Sequence, residues 1–173
     1  METVKNIISG AAVAESVAYR DAMSHYAGAV QVVTTAGAAG RRGLTLTAAC
    51  SVSDDPPTVL VCLQKIHPEN HLFMKNGVFA VNTLAGGHRA LADAFSGRTR
   101  LTQDERFALA EWEVLATGAP VLKGALAVFD CRIVSVQDHS THHVLFGEVT
   151  GLRRNTDATA LIYLNRRYHT LEL

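Results

Sequence analysis

The stretch Gly43-Leu-Thr-Leu-Thr-Ala-Ala-Cys-Ser-Val-Ser-Asp-Asp-Pro-Pro57 combines a strand and its terminator. Thr45, Thr47 and Ser51 recur along Leu44 to Val52 beside the small Ala48 and Ala49. Asp54-Asp55-Pro56-Pro57 is a turn, because two prolines cannot continue a central ladder. Thr58 to Leu63 then reads as the next strand. Upstream, Val30 to Thr35 is β-branched and runs into a glycine-studded turn, Gly37 to Gly43, and Ser16 to Ala27 has the spacing of a helix covering a sheet. Downstream, Pro68 to Gly77 is punctuated as a short helix, Val78 to Asn82 is a buried strand, and Gly87 to Phe95 is another short helix. Ser96 to Glu111 is charged and poorly patterned, an excursion over the surface. Gly124 to Val136, Val144 to Leu152 and Ala158 to Leu164 are strands, the last two linked by the polar turn Arg153 to Asp157. Apolar residues on both faces of Gly124 to Val136 suit a strand that runs around a barrel. Strands joined by turns rather than crossover helices predict a mainly antiparallel barrel with a few flanking helices.

Composition narrows the function. At 173 residues, with 48% hydrophobic and 18% charged residues, the chain forms one compact domain and is not a disordered segment. Sixteen Lys plus Arg balance sixteen Asp plus Glu, which removes the electrostatic footprint of a nucleic-acid or anionic-membrane binder and makes a dimer easy to accept. Cys50, Cys62 and Cys131 form no CxxC pair and no disulfide framework. With no bilayer-length apolar run and no leader-like N-terminus, the expected location is the cytoplasm. There is no Walker loop, no GxGxxG and no GxSxG elbow, which weighs against P-loop enzymes and hydrolases but not against redox chemistry on a bound cofactor. His142 and His143 would point to opposite faces of a strand, so no metal site is expected there. Asn82, a polar residue in an apolar strand, is read as structural.

Beyond the physics of single residues, six blocks in order resemble the short-chain flavin reductases, the reductase components of two-component flavin monooxygenases. They are Gly43 to Pro57, Val59-Leu-Val-Cys-Leu-Gln64, Phe79-Ala-Val-Asn-Thr-Leu84, Gly118-Ala-Pro-Val-Leu122, Thr141-His-His-Val-Leu-Phe-Gly-Glu-Val149 and Arg167-Tyr-His169. The resemblance covers about Tyr19 to Leu171 and implies a six-stranded antiparallel Greek-key split barrel that works as a homodimer. On that reading residues 1–173 are a single domain, with 1–15 as an N-terminal extension. It further implies NAD(P)H-dependent reduction of FMN, FAD or riboflavin, with FMN as the expected cofactor and FAD as the other candidate, and NADH or NADPH as the hydride source.

The flavin site implied by the resemblance comprises Thr45, Leu46, Thr47, Ala48, Ser51, Cys62, Gln64, Lys65, Ser96 and Arg98. Lys65 is the nearest candidate for the phosphate charge, while Ser96 and Arg98 resemble a second phosphate-side segment in which Arg100 and Arg106 also stand. His142 matches the family histidine beside the nicotinamide, with Arg166 and Tyr168 on the same side. Many relatives carry serine or asparagine where this chain has Ala48, a departure that bears on flavin affinity. The electrons then pass to free flavin for a partner monooxygenase. Rival readings are a corrin reductase acting on cob(II)yrinic acid a,c-diamide through the same flavin, a flavin reductase of pyrimidine degradation, and a non-catalytic flavin- or haem-binding module.

Overall fold

The computed structural model describes residues 13–156 and 159–173. Helix α1 (Ser16–Met23) precedes β1 (Gly28–Ala29), β2 (Gln31–Thr35), β3 (Arg42–Leu46), β4 (Ala49–Asp54) and β5 (Pro57–Gln64). Next come α2 (His71–Asn76), β6 (Val78–Thr83), α3 (Arg89–Phe95) and α4 (Gln103–Phe107). The chain closes with β7 (Trp112–Glu113), β8 (Val121–Leu122), the long hairpin β9 (Ala127–His139) and β10 (His142–Arg154), then β11 (Ala160–Leu164) and β12 (Arg167–Leu171). Residues 1–12 of the expected extension and the expected strand start at Ala158 lie outside the described residues.

Among the described residues the strands form a seven-stranded sheet in the order β3-β2-β6-β9-β10-β5-β4, a three-stranded sheet β1-β11-β12 and the pair β7-β8, and every pairing is antiparallel. The edges of the large sheet, β3 and β4, are separated in the chain only by Thr47 and Ala48. Laid flat, six inter-strand steps would hold those edges about 29 Å apart. The chain from Leu46 to Ala49 reaches about 10–11 Å at most. The sheet therefore curls until its two edges meet at Thr47–Ala48. The expected single strand Leu44 to Val52 breaks at this corner, where the Ala49 N–H donates to the Thr47 carbonyl (3.0 Å) and the Ala48 carbonyl accepts from the Cys62 N–H (2.9 Å). Hence the large sheet has seven strands rather than six.

The small sheet joins the large one through a ring of backbone bonds. Val30 donates to Leu161 (2.9 Å), Leu161 to Leu84 (3.0 Å) and Leu84 to Val30 (2.9 Å). One apolar cluster, with Val32, Leu84, Phe95, Phe107, Leu122 and Leu161, lies between the sheets and helices α3 and α4. A second, with Val61, Leu63, Phe73, Phe79 and Leu145, fills the curl of the large sheet. Strand β10 crosses that core at Gly147, where a Cβ would collide with the Phe79 ring and stand 2.8 Å from the Cys131 Cβ. Asn82 is fully buried; its amide donates to the Val32 carbonyl (2.9 Å) and its oxygen accepts from the Leu122 N–H (2.8 Å), so it ties β6 to β2 and β8.

The segment Ser96 to Glu111 is more ordered than its charge suggests. The Thr102 hydroxyl accepts from the Glu105 N–H, and a Glu105 carboxylate oxygen accepts from the Thr102 N–H (2.7 Å), a reciprocal cap that starts α4. Phe107, at the end of that helix, is buried against Phe95 with ring centroids 5.1 Å apart.

Candidate active site

Strand β3 is a sheet edge, and its register tells which backbone groups face outward. The Gly43 N–H donates to the Gln103 side-chain oxygen (2.9 Å), and the Gln103 amide returns a bond to the Gly43 carbonyl (3.2 Å). Gln103 thus stands where a further strand would pair. Because outward groups alternate along an antiparallel edge, the next such N–H and C=O belong to Thr45. The Thr45 hydroxyl donates to the Ala92 carbonyl of α3 (2.8 Å), which pins the strand to the helix.

Beside this edge, a cleft of about 630 Å³ opens around the Thr47–Ala48 corner. Its walls bring together Thr45, Leu46, Thr47, Ala48, Cys62, Gln64, Ser96 and His142. Cys62 and Gln64 reach it because they alternate with the buried Val61 and Leu63 of β5. His142 sits directly across from Gln64 on β10, and its Nδ1 lies 2.9 Å from the Thr141 hydroxyl, an arrangement that fixes the ring. A smaller cavity of about 180 Å³ shares Thr45, Leu46, Thr47 and Ser96 with the cleft and adds Arg98, Tyr163 and Tyr168. Arg98 lies 5.6 Å from the Tyr168 ring centroid, and the Tyr163 and Tyr168 rings meet edge-on at 5.3 Å.

Three residues expected at the site line neither cavity. Ser51 is exposed on β4 opposite Val59, past the corner that turns the strand away. The Lys65 ammonium pairs with Asp138 at 3.3 Å, and the Lys65 backbone N–H donates to the Thr141 carbonyl (2.9 Å), which ties β5 to the tip of the β9–β10 hairpin. Arg166, in the left-handed turn between β11 and β12, pairs with Asp21 of α1. Conversely, Arg42, Asn70 and Gln103 line the cleft and were not singled out by the sequence, and Arg106, expected only as a neighbour of Arg98 in the phosphate-side segment, lines it as well. For Gln103 and Arg106 the Thr102-x-x-Glu105 cap was the available signal, since it marks a helix that carries both residues toward β3. Arg42 stands in what reads as a glycine-rich turn, and nothing local distinguishes it from Arg41.

Burial lowers the Arg42 pKa from its ordinary value; nearby Glu69 opposes that shift and Arg106 adds to it. Burial likewise raises the Cys62 thiol, with Cys50 contributing, so Cys62 stays protonated at neutral pH as a small wall residue. Burial also raises the Tyr168 phenol, which stays neutral.

A curled antiparallel barrel with a half-open cleft at the meeting of its edges is the architecture of a ligand-binding enzyme domain rather than of a closed structural barrel. Residues 23–172 match the family model described as "Flavin reductase like domain", and the chain belongs to that family. A protein of Ancylobacter novellus, "FMN reductase (NADH) RutF", is 51% identical over 166 residues, covering 94% of this chain and 91% of that one. Among solved structures, BorF, "the Flavin Reductase Component of a Bacterial Two-Component Tryptophan Halogenase", superposes with a TM-score of 0.83 at 30% identity, covering 91% of this chain and 98% of that one. The styrene monooxygenase flavin reductase SMOB of Pseudomonas putida S12 gives 0.78 at 26% identity, with coverages of 90% and 97%.

Proposed function

We propose that this protein is an NADH-dependent FMN reductase: NADH and a proton reduce FMN to FMNH2, with release of NAD+. The observation that carries this reading is the convergence of Thr45 to Ala48, Gln64 and His142 on one cleft, in a chain half-identical to a named NADH-dependent FMN reductase. The residues present fit a flavin. The cleft volume suits a ring system with a polar tail, Leu44, Leu46 and Ala48 offer it a flat apolar wall, and the Thr45 edge offers unpaired backbone groups. Flavin, when bound, supplies the two-electron acceptor. Donors along the β3 edge and the Thr47 hydroxyl would hold its polar rim and favour the added negative charge. His142, fixed by Thr141 and the Gln64 pairing, would order the nicotinamide for hydride transfer, which needs the reacting atoms about 3–3.5 Å apart. Tyr168 and Arg98 would form the floor of the nicotinamide side.

β3 and β4 are best read as the halves of one strand broken at Thr47–Ala48, which makes the barrel six-stranded and split, and the chain one domain. The outer face of β4, β5 and β10 carries Val52, Leu60, Val144 and Phe146 right up to the cleft; we assign this apolar face to a second copy of the chain, giving a homodimer. Diffusing FMNH2 would serve a partner monooxygenase or halogenase, as the names of BorF and SMOB suggest for those proteins. Reduced cysteines and an NADH supply both suit the cytoplasm. Anaerobic stopped-flow mixing of the protein with FMN and NADH tests the function: the flavin absorbance bleaches if the reading is right, and an unbleached flavin with both NADH and NADPH overturns it.

A further inference from the structure

We propose that Arg42 and Arg106 form a phosphate seat at one end of the cleft and make the enzyme select phosphorylated flavin over riboflavin, an inference that rests on the flavin reading above. Both residues are half-buried and line the cleft. Among the described residues neither forms an ion pair, whereas the neighbouring Arg41 and Arg98 each hold a carboxylate, Asp104 at 2.8 Å and Asp93 at 3.2 Å. Each is nevertheless anchored through its Nε. Arg42 donates to the Asn70 side-chain oxygen at 2.7 Å, and Arg106 donates to the Leu101 carbonyl at 2.9 Å. Asn70 is only 2% exposed, and its own amide donates to the Gln64 carbonyl at 2.8 Å, so the Arg42 fork is braced by the strand that carries Gln64 into the cleft. The terminal nitrogens of both forks have no bonded protein partner among the described residues.

This arrangement is unfavourable without a ligand. Two cations partly withdrawn from water on the walls of one cleft lose hydration that no ion pair replaces among the described residues. Glu69 also lines the cleft and attracts Arg42 more than Arg106 repels it, but among the described residues it makes no ion pair with either arginine. A phosphate monoester answers that deficit, because a guanidinium fork presents parallel N–H donors that match its oxygens and its double negative charge. Lys65, the lysine nearest in sequence, is committed to Asp138, and Arg98 lies in the smaller cavity. Riboflavin has the same ring and ribityl chain without the phosphate, so it isolates the contribution of the seat. The pyrophosphate of NADH is the other anion that could reach these forks.

The test compares binding of FMN and riboflavin, followed by flavin fluorescence, in the wild type, Arg42→Ala and Arg106→Ala. The wild type is expected to prefer FMN. Each substitution is expected to weaken FMN by about 10–100-fold, the worth of charge-assisted bonds, while riboflavin affinity stays at the wild-type value and so reports an intact fold. On the unmodified protein, inorganic phosphate should compete with FMN and leave riboflavin untouched. Variants that keep the wild-type ratio of FMN to riboflavin affinity overturn the proposal. A raised KM for NADH, with riboflavin as acceptor and an unchanged flavin ratio, overturns it too and hands the seat to the dinucleotide. Should the variants fail to fold, absence of phosphate competition in the wild type overturns it alone. A wild type that binds neither flavin sinks the functional reading itself.

Discussion

His142 illustrates how a single side chain is placed by its neighbours. Its ring is held from one side by Thr141, and its strand position opposite Gln64 puts it on the cleft wall rather than in the core. His142→Ala is expected to slow NADH-dependent flavin reduction by about 10–100-fold through lost orientation, while FMN binding is retained; stopped-flow rates alongside a fluorescence titration separate the two. Thr47 carries the complementary prediction, because its hydroxyl is exposed at the cleft and Thr45's is already spent on Ala92. Thr47→Val should weaken FMN by about 1–3 kcal/mol, measured by the same titration. At Gly147 the demand is purely steric. An alanine there must displace Phe79 and Cys131 in a filled core, and Gly147→Ala should cost about 1–3 kcal/mol in denaturant unfolding.

At the scale of elements, helix α4 is the piece that completes the cleft, and its cap decides whether it is present. Thr102→Ala removes a hydroxyl that accepts from the Glu105 N–H and should cost about 1 kcal/mol, read by thermal unfolding. The two Thr102 bonds, backbone first, hold the Glu105 carboxyl below its ordinary value. A carboxyl with a depressed folded pKa stabilises the fold fully above its unfolded value, and that contribution fades as pH falls through the folded one. Hydrogen exchange of α4 should therefore speed up in acid before the sheet does. Much of the architecture was legible in residue type. Asp55 and Pro56 form the expected turn after β4, although Pro57 already opens β5; Pro68 and Gly77 bracketed the α2 turn, and hydroxyls at Thr45 and Thr47 marked the cleft edge. The break at Thr47–Ala48 was not legible, because it comes from the closing of a sheet whose partners are distant in sequence. The same holds for Arg42, which is distinguished from Arg41 only by an asparagine 28 residues away.

Across the whole molecule, the apolar outer face of β4, β5 and β10 borders the cleft, so the proposed assembly and the proposed ligand would share one surface. Analytical ultracentrifugation should find twice the chain mass, and Phe146→Glu, which places a charge on that face, should return the monomer; a wild type that sediments as a monomer would remove the dimer. The curl has another consequence. An antiparallel sheet normally leaves two raw edges that can recruit strands from other chains. Here the Gln103 side chain blankets one stretch of β3, and the corner at Thr47–Ala48 joins the two edges into a single chain path. On β3 the bare length of edge that is left, at Thr45, is the length proposed to hold flavin. The ligand would therefore also act as a stopper against intermolecular strand addition, and protein stripped of flavin should scatter more light on warming than protein saturated with it.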